Sequence, residues 1–204
     1  MSNKRVSTQP PAPKPPTQLD PSLIISEQAS LTGTKLITMG SNTVIHPRCK
    51  LNSINGPITI GNSCILSERC RIGLQSEPHQ VEANSIVIGD GVVIETGAIV
   101  EASIIGDGSV IEVNSKIGKG AILGKVRYNI LMERIKAYNP SQYCKVGPYC
   151  EVADREVVPD YTVIYGRGQR RLDNSGIDAI KMKMLGKQIE ALKKLIPSSL
   201  AYFQ

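Results

Sequence analysis

Tryptophan is absent from this 204-residue chain, phenylalanine occurs once, and aromatic residues together make up 4%. Large rings ordinarily fill the irregular gaps of a globular core, so whatever core this chain builds is aliphatic and repetitive. Histidine is nearly as scarce: His46 and His79 are the whole supply, one short of a three-His zinc site. No run approaches the roughly 18 apolar residues that span a bilayer, and the N-terminus carries no apolar stretch of the secretory kind. A soluble, intracellular protein is expected. None of the five cysteines pairs as C-x-x-C, which argues against a zinc ribbon or redox motif and fits a reducing compartment.

Charge of one sign is also missing where it would matter. The net charge is +6, but residues 21–165 carry 13 Lys/Arg against 14 Asp/Glu, residues 1–20 carry 3 against 1, and residues 166–204 carry 8 against 3. The body is neutral and the tails are basic. Such a tail reads as a solvated helix face or a contact for an acidic protein, not as a nucleic-acid footprint.

What the chain does have is a period. An aliphatic residue returns every six positions at Met39, Ile45 and Leu51, then Ile60, Leu66 and Ile72, then Ile88, Ile94 and Val100. After a one-residue slip come Ile105, Ile111, Ile117 and Leu123, and after an insertion Val146, Val152, Val158 and Ile164. Glycine often follows, as in Ile60-Gly61, Ile88-Gly89 and Ile117-Gly118, and relieves a tight corner of a Cβ clash. A second column stands four positions after the aliphatic one and holds small side chains: Thr43, Cys49, Cys64, Cys70, Ala98, Ser109, Ser115, Ala121, Cys150 and Thr162. Both columns are expected to point inward, with the cysteines as packing residues. Six residues suffice for a short strand and a turn; three such units close a triangular coil, and coils stack as parallel strands roughly 4.8 Å apart. The pattern predicts an all-β solenoid, a parallel β-helix, over residues 21–168.

Two insertions break the period, 74–85 and 125–143, and both are expected to bulge from corners because the repeat resumes in phase. The second carries Ile130, Leu131, Met132 and Ile135 with Tyr128 and Tyr138; a loop on its own body and a partner-docking loop are both open. Residues 1–20, rich in proline, lack the apolar surface to offset the entropy of ordering and read as a disordered head. Beyond Gly166 the spacing turns helical at Ile177, Ile180, Met184, Ile189, Leu192 and Ile196, so residues 169–204 are read as an amphipathic helix and tail. Ser175 is the expected N-cap and Pro197 the stop. Mid-helix Gly186 costs about 1 kcal/mol relative to alanine, so the helix is expected to depend on docking.

Proteins with hexapeptide repeats include acyltransferases and zinc carbonic anhydrases. An acyltransferase needs a general base, commonly histidine, yet His46 falls at a corner and His79 in an insertion, and neither has a carboxylate neighbour in sequence. Arg167, Arg170 and Arg171 could hold an anionic cofactor or, equally, an acidic partner. No catalytic, metal or cofactor residue is assigned.

Certain segments carry a family resemblance: Thr43-Val44-Ile45-His46-Pro47, Gly56-Pro57-Ile58, Ile88-Gly89-Asp90-Gly91, and above all Val158-Pro159-Asp160-Tyr161-Thr162-Val163-Ile164-Tyr165-Gly166 with Arg170-Arg171-Leu172 after it. Together with the closing Leu195-Ile196-Pro197 they resemble the dynactin subunit 6 family, left-handed β-helix subunits of the dynactin pointed-end complex. The resemblance supplies the left hand of the solenoid. It further implies a non-catalytic subunit without cofactors, cytoplasmic and cytoskeletal, partnered by dynactin subunit 5, dynactin subunit 4 and the pointed-end actin-related protein. Cargo adaptors for dynein-driven transport, endosomes among the cargoes, are implied with them, and neither nucleic acid nor membrane insertion is. Tyr128, Tyr138, Arg167, Arg170 and Arg171 are the expected partner contacts; a hexapeptide-repeat acyltransferase is the alternative.

Overall fold

In the computed structural model, which describes residues 13–73, 85–124 and 143–203, each six-residue unit forms one short strand and one corner. Three units make a coil. Strands of successive coils pair in parallel and build three faces of seven, eight and six strands. The first face runs from Thr17–Leu19 to Val157–Val158, the second from Ile24–Ile25 to Thr162–Tyr165 with one added strand, and the third from Ser30–Gly33 to Glu151–Val152. Residues 1–12, and both insertions apart from Ser85 and Tyr143, lie outside the described residues.

Register places like on like. Ile45 sits beside Leu66, Leu66 beside Ile94, Ile94 beside Ile111 and Ile111 beside Val146, and all five side chains are 0% exposed. Each such burial contributes roughly 1.5–3 kcal/mol. The column of small side chains is buried too, from Thr43 at 0% to Thr162 at 4%, with Val92 at 0% the bulkiest occupant, because a corner leaves room for a short side chain.

Glycine at the corners serves two purposes. A Cβ on Gly61 would stand 2.7 Å from the Gly89 carbonyl group of the next coil, so stacking itself excludes it. The left-handed turn falls two residues later, at Asn42 (φ 55°), Ser63 (φ 54°) and Gly91 (φ +65°) on one corner, where a non-glycine residue is strained.

Both ends differ from the sequence expectation. The head thought to reach residue 20 gives way earlier, because Thr17–Leu19 pairs with Ile37–Met39. Proline lacks an N–H but keeps its carbonyl, and the carbonyls of Pro13 and Pro16 accept the N–H groups of Gly33 and Ile37, so the proline run forms a usable sheet edge. At the other end the chain turns at Gly166 and returns as an antiparallel strand, Gln169–Leu172, on Thr162–Tyr165. Residues 169–172 therefore belong to the solenoid.

Helix α1 spans Asp178–Leu195. Ile177 occupies the cap position and makes no side-chain cap bond, while Ser175 stays exposed two residues earlier, its backbone N–H donating to the Asp173 carboxylate at 3.1 Å. Asp173 also holds Lys181 at 2.9 Å, which fixes the start of the helix. From there α1 runs back down the second face, packing Met182, Leu185, Ile189, Leu192 and Ile196 on Val93, Ile65, Val44 and Ile24. A short helix α2, Leu200–Phe203, then carries Phe203, 4% exposed, into the solenoid core at the first coil.

Candidate interaction surfaces

The residue just before each core aliphatic points out of the solenoid, since side chains alternate along a strand. On the second face Ile24, Val44, Ile65 and Val93 are apolar and covered by α1, and the row continues beyond that cluster with Val110, Lys145, ion-paired with Glu112, and Val163. On the third they are mostly charged, with Lys50, Arg71, Lys116 and Glu151 exposed. The first face changes along its length: Gln18, Thr38 and Thr59 give way to Val87, Ile104 and Ile122, half-buried, and to Val157, 65% exposed. No described helix covers that apolar half. An outward aliphatic beside an inward one was the signal for it in the sequence, and it is the feature that the six-residue count passed over.

The expected contact residues divide. Arg170 is ion-paired with Glu156, while Arg167 and Arg171 lie exposed at the closing hairpin. Tyr128, Tyr138 and His79 lie outside the described residues. The hairpin edge is flanked by a depression lined by Asp160, Tyr161, Leu172, Asp173 and Asp178, whose charged side chains are all acidic.

The chemistry on offer is sparse. His46 is half-buried at its corner; burial pulls the imidazole below its usual value, and Glu68 opposes that shift. That carboxylate comes from the next coil, which is why sequence proximity did not reveal it. All five cysteines are buried and free. Burial pushes the Cys64 thiol up to about 12 and the Cys144 thiol up to about 11. Cys49 is raised by the same cause and by Cys70, whose sulfur lies 3.1 Å away. Protonated thiols are poor ligands and poor nucleophiles. Among the described residues no group of three His, Cys, Asp or Glu side chains gathers as a metal site would require.

One polar feature runs along the corner between the first and second faces. Ser41 donates to the Asn62 carboxamide oxygen, Asn62 to the Asp90 carboxylate, and the Asp90 N–H to Asp107 at 2.9 Å. Burial and the neighbouring Asp90 raise the Asp107 carboxyl above its usual value, against the hydrogen bond it accepts. The ladder staples coils together.

No family model matches the chain. Among solved structures, an N-acyltransferase from Bacillus cereus, crystallised with dTDP and coenzyme A, superposes with a TM-score of 0.56 at 17% identity, over 84% of this chain and 90% of that one. An acetyltransferase candidate from Bacillus cereus gives 0.55 at 15% identity over 86% and 88%. Likeness at that identity is likeness of fold. With its hexapeptide coils and docked C-terminal helix, the protein is a left-handed parallel β-helix of the hexapeptide-repeat class.

Curated sequences go further than the fold. Dynactin subunit 6 of Nematostella vectensis is 30% identical over 175 residues, covering 86% of this chain and 85% of that protein. Those of Xenopus tropicalis and Danio rerio are 27% and 31% identical, over 73% and 64% of this chain and 67% and 61% of theirs. The chain belongs to the dynactin subunit 6 family.

Proposed function

We propose that this chain is a non-catalytic structural subunit of a dynactin complex, at its pointed end, in the cytoplasm and on the cytoskeleton. Its neighbours there would be dynactin subunit 5, dynactin subunit 4 and the actin-related protein of that end, and its contribution would be to dynein-driven transport and the attachment of cargo such as endosomes. The observation that carries this reading is the 30% identity to dynactin subunit 6 across 85% of that relative. The surfaces agree with it: one largely charged face, one apolar half-face and the outer side of the helix on the second face differ in chemistry, and each suits a different neighbour.

Native-mass measurement tests the reading. A tagged chain returned to cytosol should be recovered in a complex of dynactin size together with dynactin subunits 4 and 5. Recovery as a free homotrimer, or acetyl-coenzyme A turnover by the purified chain that is lost in His46→Ala, would favour the acyltransferase reading instead.

A further inference from the structure

Helix α1 carries more apolar surface than the solenoid uses. While one side of it is buried on the second face, Ile177, Ile180, Met184 and Leu195 remain 42%, 59%, 65% and 75% exposed. At 3.6 residues per turn these four, with Ala191, fall in one arc about 60° wide that runs the length of the helix, roughly 27 Å. Lys183, Lys187 and Lys194 line one flank of that arc. Lys181 is held by Asp173 and Asp178, and Lys193 by Glu190 and Asn42, but among the described residues Lys183, Lys187 and Lys194 have no carboxylate partner. A shallow depression opens beside Lys187, Glu190, Ala191, Lys194 and Leu195, where the Glu190 carboxylate is engaged by Lys193, and above Gly186 nothing stands within 4 Å of where a Cβ would be.

We propose that this outer stripe of α1 is a docking surface for an amphipathic helix of a partner protein, one whose apolar face is bordered on one side by Asp and Glu. A straight apolar strip of this length matches a helix of five turns laid alongside, with its ridges in the grooves of α1. The row of uncompensated lysines selects an acidic border, because like charges brought together there would be repelled. An antiparallel pairing with a second copy would set Lys187 and Lys194 against themselves. The inference rests on α1 alone and stands apart from membership of any particular assembly.

The test uses the full chain and two stapled helical peptides with the same leucine stripe, one bordered by glutamate and one by lysine, read by fluorescence anisotropy. The glutamate peptide is expected to bind at least tenfold tighter than the lysine peptide, and to weaken as salt is raised. The double variant Lys187→Glu/Lys194→Glu should invert that preference, and Met184→Glu should abolish binding of both while leaving thermal unfolding unchanged. Equal binding of the two peptides, binding of neither, or indifference to Met184→Glu overturns the proposal. So does a dimer in sedimentation that Met184→Glu dissolves, or a preference for phosphatidylserine vesicles over the glutamate peptide.

Discussion

The Thr17 hydroxyl donates a 2.8 Å hydrogen bond to the carbonyl of Phe203, across 186 positions of sequence. The contact joins the first strand of the first face to the last helix of the chain. It exists because an open solenoid end exposes the core of its first coil, and the lone phenylalanine fills that mouth. Phe203→Ala is expected to cost about 3 kcal/mol, as for other buried large-to-small changes, and Thr17→Ala about 1 kcal/mol, both read as shifts in the urea midpoint. A Phe203→Ala chain as stable as the parent would show the mouth to be closed by something else.

Asp107 has a carboxyl raised by burial and by Asp90. A raised value in the folded state means the protonated form is favoured there, so this group's contribution is present below the unfolded value near 3.9 and is lost as pH climbs through the folded value. Asp107→Asn keeps an acceptor for the Asp90 N–H and removes the charge. It should therefore raise stability at pH 7 by up to about 1 kcal/mol, with the gain disappearing in unfolding curves below about pH 4. Asn62, at the same corner position one coil below Asp90, shows that an amide fits the ladder.

Gly186 lies within α1 with open space beside it. Alanine there should stabilise the protein by about 1 kcal/mol through helix propensity, measured by thermal unfolding. A loss of stability would mean that the backbone of α1 is approached more closely at that point than the open space indicates.

The cysteines should be silent in the folded protein. With the Cys64 thiol at about 12 and Cys144 at about 11, iodoacetamide at pH 8 should leave the buried thiols unmodified and label all five in guanidinium. Labelling of Cys49 or Cys70 under native conditions would reveal opening of the corner they share.

How much of this was written in the sequence depends on which way a residue points. The inward columns were legible because Ile45, Leu66 and Ile94 repeat at a fixed interval and geometry forces that interval into coils. Helix α1 was legible by its spacing, although its start was not: Ser175 looks like a cap, but Asp173 claims it before the helix begins. The strand Gln169–Leu172 is exposed throughout and so left no apolar alternation to read. The first strand was hidden by prolines whose missing N–H groups drew attention away from their carbonyls. Val44 and Ile65, each beside a core aliphatic, did announce a covered face, but only a count that treats every third strand as one surface separates them from Lys50 and Arg71. For the expected contacts, Tyr128 and Tyr138 lie outside the described residues, and Arg170 is engaged by Glu156.

Because α1 carries the chain back to the coil where it began, the polypeptide leaves the molecule from the pole at which it entered. Tension applied between those two ends would therefore load one pole only, the edge strand Thr17–Leu19 and the short final helix that meets it through Thr17 and Phe203. The far coils would stay outside the line of force.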